Sequence, residues 1–103
     1  MFIKTLATIC AAGSLALPAM GGDLVATEGR DTVRLAEGNC TNITVLNQVD
    51  PEMRPHLRAA SAELQGRNYA ACWRMTSVGA HLIYEDGDQG LVPLSSLRTL
   101  LRV

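Results

Sequence analysis

Apolar and polar residues alternate in several short stretches of this chain, and each alternation predicts a strand. Thr32-Val33-Arg34-Leu35 directs Val33 and Leu35 to one side. Tyr69–Met75 splits into a face of Tyr69, Ala71, Trp73 and Met75 and a face of Ala70, Cys72 and Arg74. Ala80–Tyr84 is a further clear strand, and Gly90-Leu91-Val92-Pro93 a short one ending at a proline. Turn residues separate them: Gly38-Asn39, Gly66 with Arg67-Asn68, Ser77-Val78-Gly79, and the Asp- and Gly-rich Glu85–Gly90. Gly22–Arg30 is small and polar and reads as a flexible lead-in.

The period changes between residues 41 and 60. Thr41–Val49 carries β-branched Ile43, Thr44 and Val45, which suit a strand. Yet Val45, Leu46, Val49, Met53 and Leu57 recur at helical spacing, and Thr41 suits an N-cap, so the pattern leans to a short helix. Asp50-Pro51-Glu52 is a helix start, with an N-cap aspartate, a proline at the first position and an acid in the first turn. Pro55 would distort that first turn, and the helix should run to about Ala60. Near the C-terminus, Ser95 or Ser96 would cap an amphipathic turn through Leu97, Leu100 and Leu101. The expected architecture is α+β: a small antiparallel sheet of three or four strands, one or two short helices and one disulfide.

The first two dozen residues change the setting of that domain. Lys4 precedes the uncharged run Leu6–Leu17, Pro18 breaks it, and Ala19-Met20-Gly21 offers small residues at the two positions a signal peptidase reads. Residues 1–21 therefore read as a secretory leader, 22–31 as the lead-in and 32–103 as one small domain. The alternative is a retained anchor, because Thr5–Gly22 is uncharged for long enough to be considered as a span. Its glycines and Pro18 dilute the run and favour cleavage. Loss of the leader removes Cys10 and leaves Cys40 and Cys72 as a pair in an oxidising compartment. A 40–72 bridge would contribute roughly 3–4 kcal/mol through loop closure. Neither cysteine lies in a Cys-x-x-Cys redox motif, so the pair reads as structural.

Charge narrows the partners. The formal net charge is −1, and loss of Lys4 makes it about −2. The remaining cations are all arginines, interleaved with acids and without a basic tract, which argues against nucleic acid. No further apolar run reaches membrane-spanning length, so no membrane contact is expected after leader cleavage.

Little in the chain resembles a catalytic constellation. His56 and His81 stand alone, no serine lies in a Gly-x-Ser-x-Gly setting, and a disulfide would consume the thiols. The most distinctive stretch is Tyr84-Glu85-Asp86-Gly87-Asp88-Gln89-Gly90. Its Asp86, Asp88, Gly90 spacing resembles the opening of an EF-hand loop, but a third acidic ligand and the distal Glu are missing and the glycine comes early. A glycine-containing hairpin turn accounts for the same residues. Asn42-Ile43-Thr44 matches a glycosylation acceptor. Trp73 beside Cys72 is expected to pack on the bridge, and as a surface residue it would join Tyr84, Glu85, Asp86, Asp88 and Gln89 in a candidate interaction surface.

Ala71-Cys72-Trp73, Tyr84–Gly90 and Pro93 together resemble a family of small secreted hypothetical proteins of proteobacteria and their prophages. In that family a leader is followed by a first cysteine, a short helical segment, an Ala-Cys-Trp strand and an acidic Gly-Asp-Gln-Gly strand-turn. The resemblance covers roughly Thr32–Leu97; the Leu-rich end Leu97–Val103 departs from it. It implies periplasmic export and the Cys40–Cys72 pairing, and it carries no established activity. The expectation is a non-enzymatic, cofactor-free periplasmic or secreted binding module for an envelope or periplasmic protein, with oligomeric state undetermined. The alternative is an inhibitor of an envelope hydrolase.

Overall fold

The computed structural model describes residues 23–99. They form seven strands: β1 (Leu24–Glu28), β2 (Asp31–Asn39), β3 (Arg58–Leu64), β4 (Arg67–Met75), β5 (Gly79–Tyr84), β6 (Gln89–Pro93) and β7 (Arg98–Thr99). One four-residue helix, α1 (Ile43–Leu46), and 3-10 turns at Arg54–His56 and Leu94–Ser96 complete the chain. All strand pairs are antiparallel, in the order β6-β5-β4-β3-β2-β1-β7. β7 follows β6 after one short turn, yet pairs with β1 at the far edge. The chain can do this only because the sheet curls into a half-barrel.

The inner face explains the curl. Ala26, Ala62, Ala71 and Ala80 are buried there among Val33, Leu35, Trp73, Leu82, Tyr84, Val92 and Leu97. Small residues beside large ones let a tightly curved sheet fill its own interior at native density. A bulge sharpens the bend. The four steps from Leu35 to Asn39 on β2 face only the two steps from Ala60 to Arg58 on β3. Trp73 Nε1–H donates to the Ala36 carbonyl inside this bulge at 2.9 Å, supplying a partner where the ladder is interrupted.

A second, smaller core lies on the outer face of β4 and β5. There Cys72 and Ile83, cross-strand neighbours, are covered by Val45, Leu57 and Cys40, with Leu46, Val49 and Met53 around them. Residues 40–57 thus form a strap laid over the sheet. The Cys40–Cys72 disulfide pins the strap where it leaves β2, with a Cα–Cα distance of 5.7 Å. Arg54 ties the strap internally, donating from Nε to the Leu46 carbonyl (2.8 Å) and from Nη2 to the Val49 carbonyl (3.4 Å).

The architecture corrects the α+β expectation: it is a seven-stranded sheet with one short helix, not three or four strands under helices. The 22–31 segment is not a flexible lead-in, because Leu24–Glu28 pairs with both β2 and β7 and buries Ala26. The helix expected from Asp50 to Ala60 does not form. Residues 50–57 are turn and 3-10 structure, and β3 begins at Arg58. Pro55 sits inside that 3-10 turn, and the helix-favouring Arg58–Leu64 is claimed by two neighbouring strands. Within 41–49 the helical alternative holds for Ile43–Leu46, capped by Asn42 rather than Thr41. Ser95 and Ser96 lie in a 3-10 turn that leads into β7, not at the start of a C-terminal helical turn. The leader and Leu100–Val103 lie outside the described residues. No helix among the described residues is long and apolar enough to cross a membrane.

Candidate functional site

The acidic segment between β5 and β6 is a three-residue hairpin loop, Glu85-Asp86-Gly87. Tyr84 N–H donates to the Asp88 carbonyl at 2.9 Å, and Gly87 N–H donates back to the Tyr84 carbonyl at 3.0 Å. Gly87 adopts φ +91°, the left-handed geometry that closes such a loop. Asp86 Oδ1 accepts from Asp88 N–H at 3.1 Å, an Asx turn that fixes the loop tip.

The strap braces this turn from outside. Asn42 Oδ1 accepts from Val45 N–H at 3.2 Å, capping α1, while its Nδ2 donates to Glu85 Oε2 at 2.8 Å. Gln48 Nε2, two residues beyond α1, donates to the Tyr84 carbonyl at 3.3 Å and the Glu85 carbonyl at 3.1 Å. From the sheet side, Glu85 N–H donates to the Ala70 carbonyl at 3.1 Å. The turn is therefore held by β4, by its own backbone and by the strap.

The sequence-derived surface separates into two groups. Glu85 and Asp86 are exposed on the turn, with Asp88 and Gln89 half-buried at the start of β6. Trp73 and Tyr84 belong to the interior at 5% and 1% exposure, so they offer a partner no surface. Tyr84 packs edge-to-face on Tyr69 at 5.9 Å. Among the described residues, no three His, Cys, Asp or Glu side chains group closely enough to hold a metal ion.

Asn42 and Gln48 are the site residues that pattern reading missed. Asn42 was visible as a glycosylation acceptor, but its long-range bond to Glu85 has no local signature. A further polar group lies lower on the outer face. Arg74 and His81 face each other across β4 and β5, and His81 Nε2–H donates to Gln89 Oε1 at 2.8 Å. Arg74 Nε and His81 Nδ1 are buried there with no hydrogen-bond partner among the described residues.

No protein-family model, curated protein or solved structure matches the chain.

Proposed function

We propose that this small disulfide-bonded domain is an exported, non-catalytic binding module that offers the acidic turn Glu85–Asp88 to a cationic surface on another envelope protein. One observation carries this reading: the turn is braced from the strap by Asn42 and Gln48. A hairpin of this length closes without such help. A recognition loop gains from it, since a loop already rigid in its bound shape loses less entropy on association. Export is supported by the leader pattern, by the disulfide and by the resemblance to small exported proteobacterial proteins.

The test is capture of envelope proteins by the oxidised domain, compared with the Glu85→Gln/Asp86→Asn variant. Gln keeps an acceptor for Asn42 while removing the charge. The expected result is an envelope protein retained by the parent, released by added salt and lost with the variant. Equal retention by both would refute the acidic-turn reading. The same rigidity favours the hydrolase-inhibitor reading as second choice, and a captured partner with hydrolase activity abolished on binding would decide for it.

A further inference from the structure

β6 ends the strand order on one side of the sheet. The phase of its ladder is fixed at both ends: Tyr84 N–H donates to the Asp88 carbonyl, and Leu94 N–H to the Val78 carbonyl at 3.3 Å. Leu82–Gly90 and Ala80–Val92 are the register pairs between them and bond in the same phase. Gly90 and Val92 therefore direct their backbone groups to β5, and Gln89 and Leu91 direct theirs outward. Among the described residues, neither Gln89 nor Leu91 has a backbone partner outside that ladder. Exposed edges are normally blunted by short length, charge, proline, a bulge or inward-turned polar groups. Gln89-Gly90-Leu91-Val92-Pro93 is uncharged and regular in register, and its only protection is its five-residue length and the proline at its end.

We propose that β6 pairs antiparallel with β6 of a second copy of this chain, about a two-fold axis through Leu91. In that register Leu91 exchanges both N–H···O=C bonds with the second copy's Leu91. Gln89 N–H donates to the second copy's Pro93 carbonyl, and Pro93, having no N–H, leaves no donor stranded. The ends match in charge. Asp88 falls opposite the second copy's Leu94, beside Ser95, whose carbonyl holds the Arg98 guanidinium at 3.1 Å. The two-fold repeats this carboxylate–guanidinium meeting at the other end. Moving the axis to Gln89 would bring two acidic turns closer, and moving it to Pro93 would oppose two residues without N–H groups. An axis at Gly90 would bond Leu91 to Gln89 equally well but set Asp88 opposite Val92, away from the Arg98 guanidinium, so it is the charge match that selects Leu91. This complementarity to itself is what commits the edge to a second copy rather than to an unrelated strand. The pairing shares Asp88 with the acidic turn but uses neither Glu85 nor Asp86. The Glu85→Gln/Asp86→Asn variant therefore tests the acidic-turn reading and Leu91→Lys tests the pairing, each without the other. Where both hold, it would display two such turns on one particle. The seam is only about 17 Å long, at about 3.4 Å per residue, so the dimer forms with rising concentration rather than permanently.

Sedimentation velocity over a dilution series of the oxidised domain, with NMR on an equal mixture of labelled and unlabelled copies, tests the proposal. The expected result is a shift from monomer to dimer, with intermolecular Hα–Hα signals between Gly90 and Val92, which face each other in this register. Leu91→Lys sets two ammonium groups across the axis and should abolish the dimer while leaving unchanged the thermal unfolding curve measured at dilutions where the parent is monomeric, because Leu91 is only half-buried. Asp88→Arg and Arg98→Asp should each weaken association about tenfold, and the double exchange should restore it. A monomer at every concentration overturns the proposal. So does a dimer that lacks the Gly90–Val92 signals or survives Leu91→Lys.

Discussion

Gly79 and Gly87 both lie at positive φ, +154° and +91°, but for different reasons. A Cβ on Gly87 would meet nothing nearer than Gln48 Oε1 at 4.0 Å, so only backbone conformation resists a larger residue there. A Cβ on Gly79 would collide with the Val92 carbonyl of the adjacent strand. Gly79→Ala should therefore cost about 2–4 kcal/mol and Gly87→Ala about 1 kcal/mol in denaturant unfolding. Equal losses would remove the β6 backbone from the explanation. The reverse opportunity exists at Gln65, a non-glycine at φ +53° in the two-residue Gln65-Gly66 turn between β3 and β4. Asn tolerates this conformation better, so Gln65→Asn should raise stability by about 0.5–1 kcal/mol.

At the scale of elements, β4 and β5 were legible because large residues alternate cleanly along them and glycine marks their turns. β3 was not. Arg58-Ala-Ala-Ser-Ala-Glu-Leu is rich in helix formers, and its strand state comes from bonding to β2 on one side and β4 on the other. Ala60 and Ala62 suit the concave interior, a requirement no local pattern announces. β1 was hidden similarly: Leu24–Glu28 gains its identity from pairing β2 through Gly29-Arg30 and receiving β7 from the far end of the sequence. Of the candidate site, the acidic turn was legible from its glycine and acids, while the braces from Asn42 and Gln48 depend on how the strap folds over. That strap is a weak element alone, with a four-residue helix and one buried helical side chain, Val45. Its attachment rests on the disulfide. Replacing Cys40 and Cys72 by Ser should lower stability by about 2–5 kcal/mol, with amide exchange rising first across 41–57. Exchange rising uniformly over all strands would refute a strap that detaches separately.

At the scale of the whole molecule, most contacts that matter join residues far apart in sequence, which is why local pattern yields three or four strands where seven form. Trp73 shows the difficulty: its neighbour Cys72 suggests packing on the bridge, but Trp73 lies in the inner core while the bridge lies in the outer one, and its bond to the β2 bulge required knowing that β2 bends there. The proposed export makes a prediction at this scale. Intact-mass measurement on protein from the envelope fraction should give a chain beginning at Gly22, with both cysteines oxidised. A full-length chain held in the membrane fraction would point to an anchor instead.

The pairing of Leu24 with Thr99 and Val25 with Arg98 also determines how the domain would respond to tension. Both ends of the described chain leave from the same corner, so a pull applied through them loads this short seam by peeling rather than by shear. Bonds in such a geometry break in succession, and the seam would open under little force. Extension would then run inward through β1 and β2 from one end and β6 and β5 from the other, until it reached the Cys40–Cys72 bond. The covalent loop behind that bond cannot lengthen, so β3 and the strap would stay joined to β4 after the outer strands had been drawn out. Mechanically the molecule is a soft rim around a locked centre.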